Sequence, residues 1–326
     1  VADGLPMDYA SRVFLSARCR MSASQWLWLA ALSVLWGGSF FFTGYAVREI
    51  DAVTLVFFRV ALAALVLLPL VYARGLSLPM LGAAWIPFAV MAILNNVIPF
   101  TSMALGQARI ESGLASVINA TTPVWSVLLL HLFTADEKLT WNKFIGVLLG
   151  AGGVAILIGP AAFGGLNAQL TGILFLLITT GSYGCAAVWG RRLRGIPPVV
   201  TAASQLTASA IVMLPLVLII DQPFAPGGLL SGTASWPSPT LIGAVAALAV
   251  ISTACAYLIF FHVLSVSGPA NAMLVTLLIP ISGIALGALF LDETLLPRHF
   301  IGFAVIATAL IAIDGRLLRS IRPATE

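Results

Sequence analysis

AVTLVFFRVALAALVLLPLVYA, residues 52–73, decides how the rest of the chain must be read. It runs for 22 residues with a single charge, Arg59. The hydrocarbon core of a bilayer is roughly 30 Å thick and takes about 20 apolar residues as an α-helix, so a stretch this long and oily is a membrane span. Working outward, the same pattern recurs. Apolar segments bounded by charge, proline or glycine fall at 25–47, 52–73, 82–106, 112–134, 141–159, 170–190, 198–220, 240–264, 269–291 and 298–316. Composition agrees: 60% of the residues are hydrophobic and only 9% are charged, against roughly a quarter charged in a soluble domain. Lipid must replace water as the outer solvent. Short connections predict antiparallel neighbours, and 221–239, rich in Pro, Gly and Ser, reads as a surface loop.

Basic residues set the orientation. With a cytoplasmic N-terminus the inner side carries Arg12, Arg18, Arg20, Arg74, Lys138, Lys143, Arg191, Arg192, Arg194, Arg316, Arg319 and Arg322, and the outer side only Arg48, Arg109 and Arg298. Twelve against three predicts both termini inside. Residues 1–24 read as a cytoplasmic tail or upstream extension, because the apolar run Val13 to Leu15 is too short for a secretory signal. Residues 317–326 form a second tail. Cys19, Cys185 and Cys255 have neither disulfide nor metal-ligand spacing, and no nucleotide-binding Gly-x-x-x-x-Gly-Lys loop is present. No cofactor, metal or nucleic acid is expected.

The chain also resembles itself. Leu68-Pro69-Leu70 matches Leu214-Pro215-Leu216, an offset of 146 that sets Gln205 opposite Arg59. Ser112-Gly113 matches Ser267-Gly268 at 155, and Phe144-Ile145-Gly146 matches Phe300-Ile301-Gly302 at 156, where Glu137 falls opposite Glu293. Matches in chain order with slowly growing offsets describe a duplication. Five spans per copy, 25–159 and 160–316, is an odd number, so the second copy enters the membrane from the other side. The fold class is therefore an all-α polytopic membrane protein of ten helices, built as two inverted five-helix repeats. Such repeats place a substrate site near the midplane between the halves.

Trp36-Gly37-Gly38-Ser39, Arg59, Thr122-Pro123-Val124 and Glu137-Lys138-Leu139-Thr140, echoed by Ile279-Pro280-Ile281 and Glu293-Thr294-Leu295, resemble the EamA-type members of the drug/metabolite transporter superfamily. The resemblance covers about residues 26–318 and departs at Ala135-Asp136-Glu137, where the residue before the glutamate is acidic. It implies a bundle in which spans 1–4 and 6–9 surround a cavity, with 5 and 10 peripheral. It also implies a solute carrier, with relatives that export amino acids and other metabolites.

Polar groups inside a bilayer are costly and face the bundle interior. Asn95, Pro99, Ser102 and Gly106 recur at helical spacing, with Asn96 beside them. Ser112, Ser116, Asn119, Pro123 and Ser126 do the same, as do Thr276, Pro280, Gly283 and Gly287. Small residues in these stripes also serve helix packing, but mid-span amides need several partners, which a wet cavity supplies. The residues expected to line the solute path are Trp36, Ser39, Phe40, Asn95, Asn96, Pro99, Asn119, Thr122, Tyr183, Ser252, Tyr257, Thr276 and Pro280. Arg59 has two readings: it snorkels or satisfies backbone carbonyls, or it holds a substrate carboxylate. No carboxylate lies mid-span, which points away from proton coupling. A neutral or zwitterionic solute fits such an interior, so the expected function is a secondary exporter of amino acids (aromatic ones included) or related metabolites. Efflux of lipophilic drugs by the same fold is the alternative; no enzyme chemistry is expected. Partners are a small solute and the bilayer, with the protein a monomer or homodimer. Gly146 and Gly150 in span five, and Ala304, Thr308 and Ala312 at the same spacing in span ten, are read as close packing before a dimer interface.

Overall fold

The computed structural model describes residues 21–80, 82–159, 167–223 and 237–314. Cys19, both tails beyond those bounds and most of the 221–239 loop lie outside the described residues, as do six of the arginines assigned to the inner side.

Among the described residues nine helices are long and apolar enough to span a membrane and α9 is a shorter apolar one: α1 Ala23–Ala46, α2 Ala52–Ala73, α3 Ala83–Gln107, α4 Ser112–Phe133, α5 Trp141–Ile158, α6 Ala168–Leu193, α7 Pro198–Asp221, α8 Pro239–Gly268, α9 Val275–Phe290 and α10 Pro297–Asp314. No strand occurs among the described residues. Side-chain caps start several of them. Ser22 and Gln25 form a reciprocal capping box, and Asn167 and Ser238 accept from Leu170 N–H and Leu241 N–H, meeting N–H groups that a helix leaves unpaired. The expected spans are found to within a few residues except at the start of α9. There the helix kinks at Gly268 (φ 74), runs on to Ala272, and α9 starts at Val275 after a turn at Met273–Leu274.

α1 packs against α8, α9 and the first part of α4, and α2 against α7, α8 and α3. α3 and α4 both pack on α6. α5 and α10 lie outside this group of eight and chiefly pair with each other. Their seam explains the small residues. A Cβ on Gly146 would strike the Ala309 carbonyl and Ile313, one on Gly153 would strike Ile306, and one on Gly150 would meet Val124 of α4. The Gly-x-x-x-Gly pair is thus used up inside the protein.

Duplication shows in the irregularities as well as in the helices. α3 and α8 each open into a wide π turn at mid-span, Ile93–Val97 and Val250–Cys255. α4 is broken between Asn119 and Thr122, and its counterpart α9 is preceded by a comparable break at Met273–Leu274. α9 rests on the Ser112–Asn119 half of α4, with Gly283 against Ser116 and Gly287 against Ser112. The Thr122–Phe133 half packs on α6 and α5. Beyond its break α4 therefore turns from α9 toward α6, on the side of the face where α1 begins and α10 ends, called here the terminal face. Replacing Gly146 with Val should cost about 1–3 kcal/mol, as overpacking does. Gly152→Val, at a site with open space around the added carbon, should be near neutral; thermal unfolding in detergent compares the two.

Candidate functional site

The wide turn in α3 turns two adjacent amides toward the same neighbours. Asn95 Nδ2 donates to Tyr257 Oη at 2.9 Å, Tyr257 Oη donates to Asn96 Oδ1 at 3.2 Å, and Asn96 Nδ2 donates to Ser209 Oγ at 2.9 Å. Ser209 passes its own proton to the Gln205 carbonyl at 2.7 Å. Gln205 Oε1 lies 3.5 Å from Asn95 Nδ2. This directed chain ties α3 to α8 and α7. Asn96, Ser209 and Gln205 are buried, yet Asn95 and Tyr257 stay partly accessible although their bonds point into the bundle. This partly accessible polar cluster is called the crevice below.

Arg59 stands beside it. The side chain is 5% exposed, so it does not snorkel, and among the described residues it bonds no carbonyl. Its Nε donates to Thr253 Oγ1 at 3.0 Å, and its Cζ sits 3.6 Å from the centre of the Phe100 ring. Thr253 is itself held by the wide turn in α8, donating to the Leu248 carbonyl at 2.8 Å. The hydroxyls of Tyr183 and Tyr257 lie within electrostatic reach of the guanidinium. Among the described residues no carboxylate pairs with Arg59, and its two terminal NH₂ groups have no hydrogen-bond partner there.

The remaining path residues fall into groups. Trp36 packs its ring 5.3 Å from Phe260, Ser39 and Phe40 are buried on the same helix, and Ser252 faces Gly38 across the α1–α8 seam. Pro99 cannot donate, so the Leu94 carbonyl that the wide turn would have offered it accepts from Ser182 at 2.6 Å. Asn119 and Thr122 flank the α4 break, where the Thr122 hydroxyl takes the Asn119 carbonyl at 2.7 Å and Asn119 Oδ1 is buried without a partner. Pro280 is buried inside α9. Thr276 stands apart, bonding the Met273 carbonyl at the start of α9. Gln205, Ser209, Thr253 and Phe100 belong with the crevice but carry weak signals in sequence. Only Gln205 was marked, through its place opposite Arg59; a serine or threonine in an apolar helix more often just bonds its own backbone.

At the face opposite the terminal face a cavity of about 380 Å³ is lined by Arg48, Gln107, Glu111 and Glu293 among others. Both amide atoms of Gln107 are buried without partners. Beneath it the Glu293 carboxylate accepts from Ser112 N–H at 2.8 Å, from Gly113 N–H at 3.0 Å, and from the Ser112 hydroxyl at 2.8 and 2.9 Å. It closes the first turn of α4 onto the segment after α9.

Residues 24–159 and 170–313 each match the EamA-like transporter family. The chain belongs to that family. Its EamA units are the two halves of the bundle, and an EamA protein of this architecture is a multi-pass membrane transporter. The relatives agree. It is 24% identical to YedA of Escherichia coli K12, described as an uncharacterized inner membrane transporter, over 90% of this chain and 92% of that one. A transporter of Archaeoglobus fulgidus is 24% identical over 89% and 98%, and the protein PecM of Dickeya dadantii 25% over 88% and 91%. A crystal structure superposes with a TM-score of 0.64 over 93% of this chain and all of that one, at 18% identity, which speaks for the fold alone.

Burial and the neighbouring Glu293 push the Glu111 carboxyl above its ordinary 4.5. The folded protein then binds that proton more tightly than the unfolded chain does. Stability should fall as pH climbs from the ordinary value through the raised one, and level off above it. Glu111→Gln should remove this slope, read as unfolding temperature between about pH 4 and about pH 8.

Proposed function

We propose that this EamA transporter carries small zwitterionic solutes, amino acids first among them, out across a bacterial inner membrane by alternating access and without ion coupling. The observation that carries the reading is Arg59, a buried guanidinium with no counter-ion among the described residues and two free NH₂ groups beside a crevice of amides and tyrosine hydroxyls. An isolated buried cation is expensive. A solute carboxylate received in the fork would offset that cost, and the accessible Asn95 and Tyr257 supply neutral contacts for the rest of a small polar molecule. An anion of high charge would want several cations, and a lipophilic drug would want aromatic walls without amides; Asn95 and Asn96 weigh against the second. The inner-membrane description of YedA supports the location. The absence of a mid-span carboxylate supports uncoupled movement, and an imposed pH gradient is expected to leave the flux unchanged.

Proteoliposomes give the test. Labelled amino acids should equilibrate across the membrane faster than in empty liposomes, and their carboxamides should not. A charged hydrogen bond contributes about 1.5–3 kcal/mol, so Arg59→Gln should slow amino-acid flux roughly tenfold to a hundredfold in protein that still unfolds cooperatively. Undiminished flux in that variant would sink the carboxylate reading. Flux at the empty-liposome level across a broad metabolite panel would sink the carrier.

A further inference from the structure

Duplication demands that a contact made by one half have a counterpart made by the other. Glu293, from the second half, grips Ser112 and Gly113 of the first through two backbone amides and a hydroxyl, at the face opposite the terminal face. The equivalent residues at the terminal face are Glu137 of the first half and Ser267-Gly268 of the second. That grip is not made. Glu137 is exposed and pairs with Lys143 at 3.3 Å. The Ser267 hydroxyl oxygen is buried without a partner. Gly268 has φ 74 and interrupts the helix, whereas its counterpart Gly113 lies inside one. The same face is where α4 turns from α9 toward α6.

We infer that the two grips are alternates and form the gates of the transport cycle. In the state seen here Glu293 holds the far end shut while the terminal end is released. In the opposite state Glu137 leaves Lys143 and accepts from the N–H groups of Ser267 and Gly268 and from the Ser267 hydroxyl, and Glu293 lets go. Charge-assisted bonds from the first turn of a helix are strong. One is made as the other breaks, so both states keep one grip and neither is favoured greatly over the other. The inference rests on the alternating-access reading and gives it two named gate residues.

The test uses the full chain, with Cys19, Cys185 and Cys255 replaced by Ser, in liposomes. Spin labels at Lys138 and Ser265, both exposed at the terminal face, report the separation of the α4–α5 and α8–α9 segments. Glu293→Gln should shift the population toward a shorter separation, at least tenfold relative to the unmodified protein. Glu137→Gln should leave the separation at its long value and slow amino-acid exchange at least tenfold, since the residue makes no grip in the state seen here. Ser267→Ala should slow exchange in the same direction. Lys143→Gln, which breaks the ion pair from its other side, should not slow it. Unchanged exchange in Glu137→Gln, or equal losses in Glu137→Gln and Lys143→Gln, overturns the gate assignment while leaving the carrier standing. Should even the unmodified protein move no solute, the carrier reading falls; the distances alone then decide, and an unshifted separation in Glu293→Gln overturns the gates.

Discussion

A backbone carbonyl or N–H left unpaired in hydrocarbon costs several kcal/mol, and the interior of this bundle is arranged around that constraint. Wide turns and prolines strip partners from the backbone at mid-depth, and side chains from neighbouring helices must replace them. Ser182 of α6 takes the Leu94 carbonyl and Thr179 takes that of Pro99, which ties α6 to the irregular part of α3. Thr253 takes the Leu248 carbonyl and is thereby aimed to receive Arg59. The disruption thus also fixes the polar groups of the crevice. Wide turns are often found at functional sites, and here the connection is mechanical: each turn places one more side chain on the inner face than a regular helix would.

Arginine suits its position in α2 better than lysine would. A guanidinium is planar, so one face can lie on the Phe100 ring while Nε bonds Thr253. The far edge of the fork, with its two NH₂ groups, remains available. An ammonium is a compact and strongly hydrated charge, and the same pocket would leave it neither stacked nor solvated. Arg59 is thus held from behind by contacts that cost it no donor on the side facing the crevice. That division of labour lets a structural setting and the proposed recognition role coexist in one residue.

The helices were legible because length and hydropathy alone define a span, and ten such stretches left few other arrangements. The duplication was legible through a handful of short matches, and so was the peripheral place of α5 and α10, once the family resemblance was seen. The interior was legible only in part. Asn95, Asn96 and Tyr257 stand out as polar groups in oily surroundings, whereas Ser209 and Thr253 do not, because a hydroxyl in a helix usually returns its proton to its own backbone. Their partners depend on wide turns that no local pattern announces. Arg59 was visible as a charge, but periodicity could not tell that it turns inward onto Phe100 and away from the headgroups. Glu293 and Ser112 were matched to counterparts in the other half without any sign that they touch; two residues 181 apart in sequence meet only when the halves interlock. The late start of α9 follows from the turn at Met273–Leu274, the counterpart of the break in α4.

Inverted duplication gives a transporter two conformations related by exchanging the roles of its halves, but this chain's halves have diverged, and the differences settle what each half does. Arg59 has the neutral Gln205 at its counterpart position, so in the function proposed above the charge offered to the solute comes from one half alone. A solute fork of that kind is best placed where it need not be remade in each state. α2, which carries it, packs on α7, its own repeat counterpart, as well as on α8 and α3, and such a pair can keep its contacts while the surrounding halves trade places. α4 and α9 are the other kind of element. Each is broken near its middle or beginning, and the two meet along only part of their length. Closely packed counterparts beside Arg59 and broken ones at the proposed gates form a division that duplicated sequence, drifting apart under those two demands, would be expected to reach.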